Sequence, residues 1–203
     1  MITRYSEARL PTPNGEFRVV VYRTGSPGGA GASVVGLGPE EHVAMVLGDV
    51  TGEAVLARVH SSCFTGEVLG SLRCDCRAQL DAALARIGQE GRGVLVYLVQ
   101  EGRGIGLGNK VAAYQLQDDG ADTVDANLAL GFEADLRSYD LAAGILRDLG
   151  VTSVRLMTNN PQKIAGLETA GMKVEAQESH WVGSTEHSAG YLNAKKTKLG
   201  HLA

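Results

Sequence analysis

The chain has 203 residues, of which 44% are hydrophobic and 21% charged, with a formal net charge of −4. That length suits one well-buried core, and no apolar run reaches the roughly 18 residues of a membrane span, so one domain over 1–203 with no membrane partner is expected. The acidic balance argues against a nucleic acid polymer, whose binders usually show a broad basic face, but leaves room for a small anion.

In chain order, residues 1–7 lack the apolar stretch of a secretory signal, which predicts a cytoplasmic protein. The run 15–23 follows a Pro/Asn/Gly turn signal and is rich in β-branched residues, so it reads as a strand. Residues 24–38 are glycine-rich without apolar period and read as a loop with no assigned chemistry. Residues 42–50 and 54–60 are two further strands, expected to form an antiparallel pair that leads into the cysteines. Leu80, Ala83, Leu84 and Ile87 then recur at helical spacing until Gly91 and Gly93 end the pattern. The continuous apolar run 94–99 suits a strand buried on both faces. A crossover of this kind predicts an α/β fold: a mixed sheet with antiparallel N-terminal strands and flanking helices. Helices are predicted over 107–117 and 136–149, and a strand over 153–158. Asn160 is placed to cap a helix that starts at Pro161 and ends at Gly171, followed by a short strand over 172–176. The basic segment Lys195–Lys198 reads as solvated.

All three cysteines, Cys63, Cys74 and Cys76, fall within fourteen residues. Their odd number argues against a closed disulfide framework. Three thiolates with one position left for water suit a catalytic zinc, which would bring the water's pKa to about 7. The structural alternatives are a zinc clip completed by a histidine, His60 being nearest in sequence, or buried thiols without metal. The stretch Gln100–Lys110 is neither a Walker loop nor a dinucleotide fingerprint, and a plain strand-to-helix turn explains it as well as a ligand does. Within it, Glu101 is suited to accept hydrogen bonds from a base edge and Arg103 to pair with anionic oxygen. Asp135, in Asp135-Leu136-Arg137, sits where a helix dipole favours an acid. Thr158 to Lys163 combine a helix N-terminus with a lysine, which suits phosphate but also occurs in proteins that bind none.

Taken as a series, Arg58-Val59-His60-Ser61, Cys63, Ser71-Leu72-Arg73-Cys74-Asp75-Cys76, Gln100 to Leu107, Asn109-Lys110, Tyr114, Leu116-Gln117-Asp118, Asp122-Thr123, Ala126-Asn127, Leu130-Gly131-Phe132, Asp135-Leu136-Arg137 and Leu156 to Pro161 resemble GTP cyclohydrolase II of riboflavin biosynthesis. The resemblance runs from Leu10 to Leu202. It implies that Cys63, Cys74 and Cys76 bind zinc, whose water attacks C8 of GTP, opens the imidazole ring and releases formate. It also implies that Tyr114 acts beside the reacting base, that Asp135 accepts a proton, and that Arg137 serves pyrophosphate release as nucleophile or by stabilising charge. Arg58, Val59, His60, Ser61, Ser62, Gln79, Glu101, Gly102, Arg103, Thr123, Thr158 and Lys163 fall on nucleotide-binding positions. Magnesium is expected on the triphosphate, and a homodimer as the assembly. The implied products are formate, pyrophosphate and 2,5-diamino-6-ribosylamino-4(3H)-pyrimidinone 5′-phosphate.

Two positions depart from the pattern. Ser62 stands where the family usually has glutamate, and Ser184–Leu192 lacks the asparagine-rich segment before its Tyr-Leu pair. These leave open a paralogue that yields a formylated pyrimidine or serves a secondary pathway, and, from another class, a catalytically silent nucleotide-binding regulator.

Overall fold

The structure is a computed structural model that describes residues 2–24, 41–119, 126, 128–132 and 137–182. Its strands are β1 (Ile2–Thr12), β2 (Gly15–Thr24), β3 (Glu41–Leu47), β4 (Val55–Ser61), β5 (Gly93–Leu98), β6 (Ser153–Met157) and β7 (Lys173–Glu178). The helices are α1 (Phe64–Glu67), α2 (Cys76–Glu90), α3 (Gly106–Asp118), α4 (Asp140–Asp148) and α5 (Pro161–Thr169), with a 3-10 turn at Glu101–Gly104. The strands form one sheet in the order β1-β2-β3-β5-β4-β6-β7. Pairing is antiparallel from β1 to β5 and parallel from β5 through β4 and β6 to β7, so the sheet is mixed and the fold α/β, as expected.

The expected β3–β4 hairpin does not form. β5 lies between them, antiparallel to β3 and parallel to β4. The intervening segment is drawn toward β6 instead: Gly52 N–H donates to Gly150 O and Thr152 N–H to Gly52 O. Arg92 holds it there through the carbonyls of Asp49, Thr51 and Glu53. β1, which the sequence pattern does not predict, pairs along the outer edge of β2, and all but its two end residues are exposed. A strand whose burial is confined to its ends, Ile2 packing against the core at one of them, leaves no apolar alternation to read.

Strand alternation sorts the core to two sides of the sheet. Val55, Ala57 and Val59 of β4 and Val94, Val96 and Leu98 of β5 pack with Ala142, Ala143, Ile145 and Leu146 of α4. Leu56 and Leu95 point the other way and pack with Ala83 and Ile87 of α2. α4 starts at Asp140, later than the predicted helix over 136–149. Ser138 sets this start, its hydroxyl bonding the Asp140 carboxylate and accepting the Asp140 N–H. Arg137 therefore precedes the helix. Among the described residues, no helix is long and apolar enough to cross a membrane.

Candidate active site

The parallel strands β5, β4, β6 and β7 all end toward one edge of the sheet, the edge at which open α/β sheets bind ligands. Each of the first three delivers a segment singled out in the sequence. β4 runs into Cys63, β5 into the turn at Glu101, and β6 into Thr158 and the start of α5.

Cys63 is buried at the N-terminus of α1, while Cys76 is the first residue of α2. The three Sγ atoms lie within 4.8 Å of one another, with Cys63 and Cys74 3.6 Å apart. A tetrahedral zinc with bonds of about 2.3 Å needs sulfurs roughly 3.8 Å apart, so the set fits that ion. Gly66 makes the approach possible: a Cβ there would sit 2.8 Å from Cys74 Sγ and 3.3 Å from Cys63 Sγ. The electrostatics agree. Hydrogen bonds from Cys74 and Cys76 push the Cys63 thiol far below its ordinary range, while the bond to Cys63 pushes both of theirs up. Without a cation three crowded thiols hold little negative charge, whereas a divalent ion would deprotonate them all.

Tyr114 of α3 reaches this cluster through Thr65. Its hydroxyl is 3.2 Å from Thr65 Oγ1, which lies 3.7 Å from Cys63 Sγ. The Arg73 guanidinium covers the Tyr114 ring at 4.9 Å and pairs with Asp118 at 2.5 Å, fastening the cysteine loop to α3. Glu101 is turned inward. Its Oε2 accepts the Phe64 N–H at 2.6 Å, and its Oε1 accepts from Gly102 N–H at 2.8 Å and Lys110 Nζ at 2.7 Å. Lys110 also lies 3.0 Å from Cys63 Sγ. Burial alone would lower its pKa, but the charge on Cys63 and the bonds to Glu101 and Cys63 outweigh burial and raise it. Gly102 and Arg103 both adopt left-handed backbone at φ 61°, a conformation strained for arginine.

A second group of predicted residues lies against the first. Arg58 is buried on β4; its NH1 donates to Met157 O at 2.6 Å and its NH2 to Gln79 Oε1 at 2.5 Å. Gln79 in turn donates to Asp75 Oδ2 at 2.5 Å, within the cysteine loop. Burial pulls Arg58 down to about 10, opposed by Asp75 and Cys76. Lys163 is buried, with Nζ 2.7 Å from Val59 O. Thr158 Oγ1 accepts the Asn160 N–H at 3.0 Å, and Asn160 Oδ1 accepts the Gln162 N–H, forming the predicted cap of α5. The hydroxyls of Ser61 and Ser62 are taken up by Gln100, the first by its side-chain amide at 2.9 Å and the second by its N–H at 3.2 Å. Arg137 lines a separate cavity of about 420 Å³ with Ser138, Tyr139, Asp140, Gln162, Gly166 and Thr169. Asp135, Thr123 and the 184–192 departure lie outside the described residues.

Several residues here were not assigned a site role from the sequence. Lys110 enters the sequence reading only as the end of the Gln100–Lys110 stretch and within the family series, although its place four residues before Tyr114 puts both on one face of α3. Glu67 receives Tyr97 OH at 2.6 Å and His60 Nε2 at 2.8 Å. Burial holds His60 below its ordinary pKa, and its Nδ1 is buried with no hydrogen-bond partner among the described residues. His180, past β7, donates from Nε2 to Gln79 O at 2.9 Å, and its own N–H donates to Asn159 Oδ1. No spacing in the sequence links these positions.

Residues 3–179 match the family model described as GTP cyclohydrolase II. The whole chain is 51% identical, over 203 residues, to the riboflavin biosynthesis protein RibBA of Bacillus mycoides (strain KBAB4), covering 48% of that protein. It is 52% identical, over 204 residues, to RibBA of Bacillus subtilis (strain 168), again covering 48%. The chain thus spans about half the length of these relatives. A crystal structure of RibBX, a two domain 3,4-dihydroxy-2-butanone 4-phosphate synthase from A. baumannii, shares 22% identity at a TM-score of 0.45, covering 89% of this chain and 40% of that one.

Proposed function

The chain belongs to the GTP cyclohydrolase II family of riboflavin biosynthesis, and from that membership we propose that it is a zinc-dependent hydrolase that opens the imidazole ring of GTP at C8. Its products would be formate, pyrophosphate and 2,5-diamino-6-ribosylamino-4(3H)-pyrimidinone 5′-phosphate. The observation that carries this reading is the cluster of three thiols within 4.8 Å at the C-terminal edge of the parallel strands, beside Tyr114 and Glu101.

Cys63, Cys74 and Cys76 would hold the zinc, which when bound supplies a Lewis acid able to provide hydroxide at neutral pH. The surrounding residues orient the substrate. Tyr114, bonded to Thr65 beside the thiol cluster, would direct a proton or an opened ring. Arg58, Lys163 and Thr158 would exchange their internal partners for phosphate oxygens, with magnesium accompanying the triphosphate. Gln79 and the Glu101–Arg103 turn would meet the nucleotide. The Glu101 carboxylate already accepts three donors, so a direct role in reading guanine requires it to release one of them. Arg137 and the cavity it lines would serve pyrophosphate release, with Asp135 as the proton acceptor. Thr123 belongs to the same proposed set.

Incubating the zinc-loaded chain with GTP and magnesium, followed by mass analysis, tests the reading. Formate, pyrophosphate and the diaminopyrimidinone are expected together. A formylated pyrimidine without formate would select the paralogue, and no turnover would select the silent regulator. A homodimer, proposed with the family, is tested by sedimentation of the same sample.

A further inference from the structure

A three-thiolate site carries one more negative charge than a divalent ion neutralises, and here Cys63 is buried while Cys74 and Cys76 are partly so. The nearest remedy in the structure is Lys110. Its ammonium bridges Cys63 Sγ at 3.0 Å and Glu101 Oε1 at 2.7 Å, with the lysine and glutamate side chains 13% and 12% exposed. The bridge is built in. Gly102, in left-handed backbone, leaves room for the lysine stem, since a Cβ there would stand 3.1 Å from Lys110 Cβ. Glu101, tied to Phe64 and Gly102, fixes the far side of the ammonium, and the Tyr114 ring lies 5.8 Å from it.

We propose that Lys110 is a positioning residue of the metal centre: its charged N–H···S bond to Cys63 holds the metal and draws electron density from that thiolate. This deepens the zinc reading above and rests on it. Thiolates are strong electron donors and blunt the acidity of the metal they bind; a cation on one sulfur offsets that. Partners of this kind, one shell beyond the ligands, tune affinity by about 10–100-fold. The Glu101 carboxylate orients the donor, so Lys110 acts on the metal through Cys63 without itself touching substrate.

The test compares Lys110→Met and Lys110→Gln with the unmodified chain, each checked for retained fold by circular dichroism. Zinc affinity is measured by chelator competition, and the sulfur-to-metal charge-transfer band is recorded after cobalt(II) substitution. Affinity should fall about 10–100-fold in Lys110→Met and less in Lys110→Gln, which keeps a neutral donor. The cobalt band should move to longer wavelength in the same order, as the sulfur becomes more electron-rich. Unchanged affinity and an unchanged band in both folded variants would overturn the proposal. If one variant fails to fold, the other decides by the same two readouts; if both fail, Lys110 is a determinant of the fold and the proposal is overturned. An unmodified chain that binds neither zinc nor cobalt would instead overturn the zinc reading itself.

Discussion

Phe64 N–H donates to Glu101 Oε2 at 2.6 Å, so the residue after the first cysteine is fastened across the site to the turn that follows β5. The opposite oxygen takes Gly102 N–H and the Lys110 ammonium. Glu101→Ala would leave the Phe64 and Gly102 N–H groups without an acceptor and Lys110 with Cys63 alone, each stranded donor costing about 1–3 kcal/mol where water cannot reach. A loss near 3 kcal/mol is expected, read as a lower urea midpoint at constant slope. Glu101→Gln keeps one acceptor oxygen and should lose about half as much. Midpoints within about 0.5 kcal/mol of the unmodified chain would show the carboxylate to be structurally idle.

Gly66 controls how closely the sulfurs approach. A methyl group there meets Cys74 Sγ at 2.8 Å and Cys63 Sγ at 3.3 Å, so at least one thiol must move. Gly66→Ala should therefore weaken zinc binding by on the order of 10-fold or more, although alanine is the better helix former. Equilibrium dialysis against a zinc buffer checks this, and wild-type retention would mean the loop yields without disturbing the ligands.

Why the thiols were legible and Lys110 was not follows from distance along the chain. Cys63, Cys74 and Cys76 lie close in sequence and belong to a scarce residue type whose chemistry is narrow, so their spacing alone suggests a metal. Lys110 reaches Cys63 only because α3 docks on the cysteine loop through Arg73, Asp118 and Tyr114. The sheet was legible as a class but not in order: β3 carries the alternation of a half-buried strand whichever neighbours it pairs with, and these are β2 on one side and β5, not β4, on the other. Helix α4 begins where Ser138 bonds Asp140, a local competition that apolar period does not register. Cap chemistry, by contrast, was local, and Asn160 with Pro161 behaves as read.

Arg103 keeps a left-handed backbone that glycine would adopt without strain. Both Arg103→Ala and Arg103→Gly remove the guanidinium, but only glycine also relieves the backbone. The glycine variant should be more stable than the alanine variant by about 1 kcal/mol, or roughly 2–4 °C in Tm. Both should bind GTP more weakly than the unmodified chain if the strain is retained to aim this side chain. Equal melting temperatures for the two variants would show that the turn relaxes once arginine is gone.

His180 gives the protein an acid sensitivity of definite sign. Burial is the main cause that pulls it down to about 4, and Arg58 adds to the fall, while its bond to Gln79 O opposes it. An unfolded histidine titrates near 6.5, so above that pH both states are neutral at this position and stability does not depend on it. Between about 6.5 and 4 the unfolded chain binds the extra proton, and stability falls with pH by as much as ~1.4 kcal/mol per unit, on the order of 3 kcal/mol in all. His42 and His60 are also held below their ordinary values by burial and act in the same direction. Urea midpoints from pH 7.5 to 4 should therefore begin to drop below about 6.5, well before carboxylates protonate. His180→Gln can keep a donor to the Gln79 carbonyl but cannot titrate, so its profile should be flatter across that window even if it starts lower at pH 7.5. A variant with the same slope as the unmodified chain would assign the acid sensitivity to groups other than His180.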